Sequence, residues 1–431
     1  MFVQIHMLQS MPPGNLNRDE TGQPKKCLFG GVTRGRISSQ CLKRNIRRSS
    51  QFRKAFGDAI GFRTQYLPQM VADNLKEGKL GVPADDLDEI MAAIAGRFKK
   101  DKRGSDSEEN PKDGEEQGSS TGAPALGDDT GKTGQLVFFP QPFALRIAEL
   151  LADLRSNKPK AYTLFLGRKA KEKMSKDQKD LLDRDIKEFI DLAYAASESL
   201  TVDIGLFGRM TTSDLVVNVE AACQVAHAIS THETLTESDY FTAMDDLKDK
   251  YVSAQSDKAG AAFLGSGETE TFFNSAVYYK YLNLDLDAMK KHLPSLSDKD
   301  AARVAGVLIS AAALANPTGK QNSFAAHGVP ELILVEVSEV KRPISYANAF
   351  LQPVEGGVGR NLMTESAKTM NAYIDAVAVA FAPADTRRML LAVGPAKATL
   401  QSVHAPVATL DELVNAIVAL IAASGKAGAS A

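Results

Sequence analysis

Eight cationic side chains fall within 24 residues: Lys25, Lys26, Arg34, Arg36, Lys43, Arg44, Arg47 and Arg48. Part of the set lies on a loop carrying Gly30 and Gly31, where backbone N–H groups can approach phosphates closely. The rest falls on one face of a predicted helix. Clustered lysine and arginine on such a scaffold suit phosphate binding, the term that dominates nucleic-acid affinity. The plainer use is a solvated basic face. A membrane-surface helix fits less well, because the apolar face, Leu42 and Ile46, is narrow and has no Trp or Phe. Farther along, Met210 follows Arg209 at the end of the apolar stretch VDIGLF. An unbranched apolar side chain can wedge between bases while its neighbouring arginine holds a phosphate. Filling a core or loop gap is the competing use of such a methionine.

Catalytic patterns are poor. Residues 127–133, GDDTGKT, resemble a phosphate-binding loop, but Leu126 stands where GxxxxGKT needs glycine. GGVGR at 356–360 follows no convincing strand. His232–Glu233 does not extend to HExxH, and His227 lies five residues from His232, out of phase for one helical metal site. Asp245, Asp246 and Asp249 read as a solvated acidic face. Asp19 could hold a metal for phosphodiester hydrolysis or, more simply, position Arg18. Cys27, Cys41 and Cys223 lack CxxC spacing, so neither a zinc cluster nor a disulfide framework is expected. The expectation is a chain without catalytic residues, metal or cofactor.

The elements that must position the basic block are set by composition. The 431 residues are 44% hydrophobic and 24% charged, ordinary for a globular protein of two to three domains. Net charge is −2, but residues 1–56 hold eleven basic and two acidic side chains. A basic block on an otherwise acidic chain points to a localised polyanion site. The longest apolar run, near Val304–Ala315, is too short to span a bilayer. The start lacks the pattern of a secretory signal, so a cytoplasmic location is expected.

Alternation at residues 2–8 predicts a half-buried strand, with Val3, Ile5 and Met7 on one face and Gln4 and His6 on the other. Residues 9–36 read as a long loop and Ile37–Ser50 as a helix capped by Ser38 or Ser39. Helices are predicted in 62–97, broken near Gly78–Pro83, and at 141–156, 176–199, 214–231, 299–315, 362–382 and 409–423. Strands are predicted at 272–286 and 331–340. Residues 99–134 have almost no bulky apolar side chains and read as disordered. The order fits an α+β sheet domain with large excursions.

The stretch HMLQS, NLNRD and KCLFGGVTRGRISSQCLKRNIRRS resembles the CasC family, the repeated backbone subunit of the type I-E CRISPR Cascade complex. VDIGLFGRMTTSD (202–214), AHAISTHE (226–233), FTAMDDL (241–247), KQNSFAAH (320–327) and YANAF (346–350) continue the likeness in the same order. Residues 99–134 look like an extra insertion, and 250–272 like a lengthened loop. The resemblance implies an RRM-like (ferredoxin-like) palm at 1–60, 201–231 and 276–431. It places helical fingers at 61–200 and a protruding thumb at 232–275, with Leu264 at its tip. It implies copies stacked head to tail along CRISPR RNA, with other Cascade subunits and the target DNA strand as further partners, and no membrane. The RNA-binding residues that the resemblance implies are Lys25, Lys43, Arg44, Arg47, Met210, Lys320 and Gln321; Arg34, Arg36 and Arg48 of the basic block and Arg209 beside Met210 complete the candidate set. Two other readings stay open: an RNA-cleaving relative that uses Asp19, and a monomeric RNA-binding module.

Overall fold

A computed structural model describes residues 1–57, 59–77, 80–98, 131–168, 175–240, 270–399 and 406–427. Leu264, the three aspartates at 245, 246 and 249, most of the 99–134 insertion and the 241–269 part of the thumb lie outside the described residues.

The strands are β1 (Phe2–Gly14), β2 (Lys26–Phe29), β3 (Val32–Ile37), β4 (Phe62–Thr64), β5 (Val137–Phe139) and β6 (Cys223–Val225). They continue with β7 (Ala228–Ser230), β8 (Glu237–Tyr240), β9 (Glu270–Asp285), β10 (Leu332–Ser338), β11 (Arg387–Ala392) and β12 (Pro406–Val407). Ten of them form one sheet in the order β12-β11-β10-β1-β9-β7-β3-β2, with β6 and β8 also paired to β9. Pairing is antiparallel throughout except for β11 with β12.

The helices are α1 (Ser39–Arg48), α2 (Ser50–Phe56), α3 (Leu67–Glu77), α4 (Leu87–Gly96), α5 (Phe143–Asn157), α6 (Pro159–Phe165) and α7 (Lys176–Ser197). After them come α8 (Val202–Phe207), α9 (Leu286–His292), α10 (Asp298–Leu314), α11 (Gln321–Phe324), α12 (Leu362–Phe381) and α13 (Leu410–Ala427). The molecule is therefore α+β, with a mostly antiparallel central sheet.

β1 shows how the sheet is covered. Val3, Ile5 and Met7 pack in a core with α1, α10 and α13. Leu8, on the opposite face, joins Tyr279, Tyr346, Phe350 and α12. Both faces are buried, which corrects the half-buried strand predicted from alternation. Gln4 and His6 are buried too, and their polarity is satisfied locally. Gln4 Oε1 accepts from the Tyr281 hydroxyl at 2.8 Å and the Ile344 N–H at 2.7 Å. His6 Nδ1 lies 2.9 Å from the Tyr279 hydroxyl.

Two further expectations are overturned. The loop predicted at 9–36 is largely strand: β1 runs on to Gly14, and β2–β3 form a hairpin. Gly30 and Gly31 are its two-residue turn, both with positive φ, as such a turn requires. A Cβ on Gly30 would meet the Leu351 carbonyl oxygen at 1.7 Å, so this glycine packs against protein rather than phosphate. The Ala-rich helix predicted at 214–231 is instead the pair β6 and β7, both added to β9. A second core, centred on Leu67, Ile90, Ile147, Leu151 and Phe189, is built by α3–α7 and sits over the β4–β5 ribbon.

Candidate nucleic-acid interface

Asn17 ties the basic loop to the basic helix. Its carbonyl accepts from the Lys25 N–H at 2.8 Å, and its Oδ1 accepts from the Ser38 N–H at 2.8 Å. Ser38 caps α1, its hydroxyl accepting from the Cys41 N–H at 3.3 Å. The Arg36 N–H donates to the Lys25 carbonyl at 2.9 Å. Lys25, Arg36 and the start of α1 are thus held as one unit. Helix α1 turns Leu42 and Ile46 inward and presents Lys43, Arg44, Arg47 and Arg48 outward. It ends at Ser49, whose extended backbone lets its hydroxyl cap α2.

The outward cations have different fates. Arg44 and Arg48 are exposed. Lys43 is half-buried with its ammonium 5.9 Å from the Phe207 ring centroid. Burial pulls its pKa down; Cys223 opposes this and Arg63 adds to it. Arg47 is committed to the protein: Nε donates to the buried Asp203 carboxylate at 2.8 Å and a terminal nitrogen to the Gly61 carbonyl at 3.0 Å. Its guanidinium carbon lies 4.2 Å from the Phe138 ring centroid. Arg47 therefore bolts α1 to α8 and the β4–β5 ribbon, a structural duty that the sequence reading did not foresee.

Two other arginines expected at the RNA surface are turned inward. Arg34 is fully buried and donates to the carbonyls of Phe29, Ser230 and Phe350 at 3.2, 3.1 and 2.7 Å. Arg209 is 4% exposed and donates to Val217, Phe138 and Ser197 at 2.7, 3.2 and 2.9 Å. Burial pushes the Arg209 pKa down to about 10. With their donors spent on protein carbonyls, both are braces. Gln321 behaves alike, its amide donating to Pro317 and Ala326 at 3.0 Å each. Lys320 before it is exposed, in a left-handed backbone conformation.

Met210 is the opposite of its neighbour. It is 93% exposed, which excludes the core reading. Its turn is rigid: Arg209 and Val219 exchange backbone hydrogen bonds at 2.9 and 2.8 Å, and the Thr211 N–H donates to Asn218 Oδ1 at 2.7 Å. Phe138 links this turn to α1, offering its carbonyl to Arg209 and its ring to Arg47. An apolar side chain is thereby displayed on a braced turn beside a cationic helix.

The structure brings together Lys25, Arg36, Lys43, Arg44 and Arg48 through β3 and α1, with Met210 joined through Phe138. Sequence reasoning missed Asn17, the hinge pin of the loop, and Arg63, an exposed cation on β4 that acts on both Lys43 and Arg47. Asn17 lies within the NLNRD stretch, whose likeness could have flagged it, whereas nothing local marks Arg63; its pairing with Phe138 across β4–β5 puts it there. Asp19 Oδ1 accepts from the Thr21 N–H and hydroxyl and from the Gln23 N–H at 2.8–3.0 Å, closing its own turn rather than holding Arg18. Among the described residues no group of three or more His, Cys, Asp or Glu is placed to hold a metal, and no helix is long and apolar enough to cross a membrane.

The family profile described as CT1975-like protein matches residues 3–416. The chain belongs to that family. A chain of a CRISPR RNA-guided surveillance complex in a pre-nicking state is similar to it, with a TM-score of 0.71 and 27% identity over 98% of this chain and 100% of that one. A chain of another CRISPR RNA-guided surveillance complex shares the fold, with a TM-score of 0.63 and 22% identity over 97% of this chain and 100% of that one. No curated protein matches. The CasC-type resemblance in the sequence is upheld by the family match and by the structural likeness.

Proposed function

We propose that this member of the family binds CRISPR RNA through its phosphates and stacks in repeated copies along the guide, as the type I-E backbone subunit of a cytoplasmic Cascade complex. The ten-stranded sheet takes the place of the RRM-like palm. The observation that supports this reading most is an exposed Met210 on a turn that Phe138 ties to α1, whose Arg44 and Arg48 face solvent. Phosphate gripping with an apolar wedge is tolerant of sequence, which suits a subunit whose target is read by base pairing. The same reading makes the chain non-catalytic, with target DNA entering by pairing to the held guide.

Replacing Arg44 and Arg48 by Ala tests it. For every phosphate that a substitution releases, the log–log salt slope of RNA binding should fall by about 0.7, equally for unrelated guide sequences. Weakening confined to one sequence would contradict phosphate gripping. Regularly spaced Mg²⁺-dependent cuts in complementary RNA, abolished by Asp19→Ala, would instead establish the nuclease reading.

A further inference from the structure

The stretch AHAISTHE (226–233) holds two histidines to which the cationic surface assigns no role, and the protonation state of His232 is fixed by its partners. Its Nδ1 lies 2.7 Å from the Glu233 carbonyl, which can only accept. Its Nε2 lies 3.2 Å from the Val277 N–H, which can only donate. The ring is therefore neutral, with its hydrogen on Nδ1 and its Nε2 lone pair turned to β9. Burial pushes its pKa below the usual 6.5; the Glu233 carbonyl opposes this and Arg34 adds to it. The ring is only half-buried, so a proton can still reach it.

His232 ties the turn at 230–234 to β9, and the other side of that turn is clipped to the basic hairpin. The Ser230 hydroxyl donates to the His232 carbonyl at 2.6 Å, and the Thr234 hydroxyl to the Ser230 hydroxyl at 2.8 Å. Both hydroxyl oxygens accept from the Gly35 N–H at 3.1 Å. The Thr234 N–H donates to the Thr33 carbonyl at 3.0 Å. Gly35 stands between Arg34 and Arg36 on β3, and the Arg36 N–H reaches the Lys25 carbonyl at 2.9 Å. A chain of bonds thus runs from β9 through His232 and β3 to Arg36 and Lys25.

We propose that His232 positions the basic hairpin as a neutral imidazole strut between β9 and the 230–234 turn, and that protonation of the ring loosens the hairpin and weakens RNA binding. This rests on the RNA-binding reading above and adds to it a positioning residue. On a protonated ring the Nε2–H faces the Val277 N–H, donor against donor, and a buried amide loses its acceptor. Arg34 on β3 adds like-charge repulsion. The other ionisable groups around the turn do not offset it. Glu233 is exposed. Glu355 follows Val354, whose N–H donates to the Thr231 carbonyl at 3.0 Å, and is paired with Arg360 at 3.7 Å. Burial pushes Tyr278 of β9 up to about 12 and raises Cys27 of β2, so both stay uncharged. The strut contributes fully above pH 6.5 and is lost as pH falls through the lower value of the folded protein.

The test compares the full chain with His232→Gln, whose amide oxygen can accept the Val277 N–H but takes up no proton. Binding of a short guide RNA is measured at fixed salt from about pH 7.5 down to about pH 5. Across that range wild-type affinity should fall about fivefold relative to His232→Gln, the effect of one lost hydrogen bond. The comparison between the two proteins isolates His232, because His227, whose Nδ1 faces the Ser39 N–H at 3.2 Å and Arg36 at 3.4 Å, is common to both. In the free protein, nitrogen-15 spectra of the histidine rings should show one neutral Nδ1–H ring that is absent from His232→Gln and titrates below pH 6.5. Val277 amide exchange should become faster in wild type than in the variant only at the acid end. Equal pH profiles of RNA binding in the two proteins, with Arg44→Ala still weakening binding, overturn the strut and leave the proposed function standing. If Arg44→Ala has no effect, both fall. Should His232→Gln not fold, the wild-type midpoint for RNA release has to coincide with that of the ring coupled to the Val277 amide; two separate midpoints overturn the proposal.

Discussion

Arg209 and Met210 are neighbours in sequence and opposites in environment. Arg209 spends its donors on three carbonyls inside the protein, and Met210 stands 93% exposed. Met210→Ala should therefore change stability by no more than about 0.5 kcal/mol, yet alter base reactivity in bound guide once per subunit. Arg209→Ala leaves buried carbonyls unsatisfied and should cost about 3 kcal/mol. Thermal melting of both variants, beside chemical probing of bound RNA, checks the contrast; a large drop in melting temperature for Met210→Ala would contradict it. Residue type is legible in the sequence, but side-chain direction is not. Arg34 is held by a carbonyl 316 residues away at Phe350, and Arg47 by Asp203 at a separation of 156. No local spacing distinguishes such braces from the exposed Arg44 and Arg48.

At the level of elements, β10 is clamped to its surroundings through Glu336. The carboxylate accepts from Arg388 Nε on β11 at 2.6 Å and from the Tyr346 hydroxyl at 2.9 and 3.0 Å, with His6 Nε2 of β1 at 3.4 Å. Burial alone would raise its pKa; His6 and Arg388 outweigh burial and bring it from 4.5 down to about 2. A carboxyl depressed on folding adds stability above its unfolded pKa, and that stability fades as pH falls through the folded one. Wild-type stability should therefore fall between pH 4.5 and 2, by an amount on the order of 3 kcal/mol from this group, and be read as a lower melting temperature. In Glu336→Gln the drop over that range should be smaller, and equal drops in both proteins would refute the clamp. None of this network shows in the LILVEV pattern, which marks only a strand. Long amphipathic helices such as α7, α10 and α12 are readable from their period. β6 and β7 are not: at three residues each they are too short to show alternation, and pairing to β9 overrides their Ala-rich helical propensity. The separation of exposed cations from braces follows from the same elements, since β3 turns Arg34 inward while α1 leaves Arg44 and Arg48 outside.

For the molecule as a whole, the sheet is packed on both faces, and Lys26, Arg36, Lys43, Arg44 and Arg48 of the N-terminal block lie on one hairpin and one helix. Such a body can take up a strand without refolding, because the loop, the helix and the Met210 turn are already pinned by Asn17, Arg47 and Arg209. Binding that needs no folding step and reads no bases should depend on RNA length rather than sequence. If copies stack along the guide, native mass spectrometry of subunit with RNAs of increasing length should show mass rising in steps of one subunit, 46.3 kDa. The length at which each step appears should be the same for two unrelated sequences. Raising salt should remove copies without shifting the step length, because screening weakens phosphate contacts and leaves geometry unchanged. A monomeric RNA-binding module predicts otherwise: isolated copies scattered at random, with a statistical distribution of masses and no fixed length per copy. Steps whose spacing changed with sequence would mean that bases, not phosphates, set the register. The Met210 turn would then have to be read as a sequence-selective pocket, a role that does not suit an open, 93% exposed methionine.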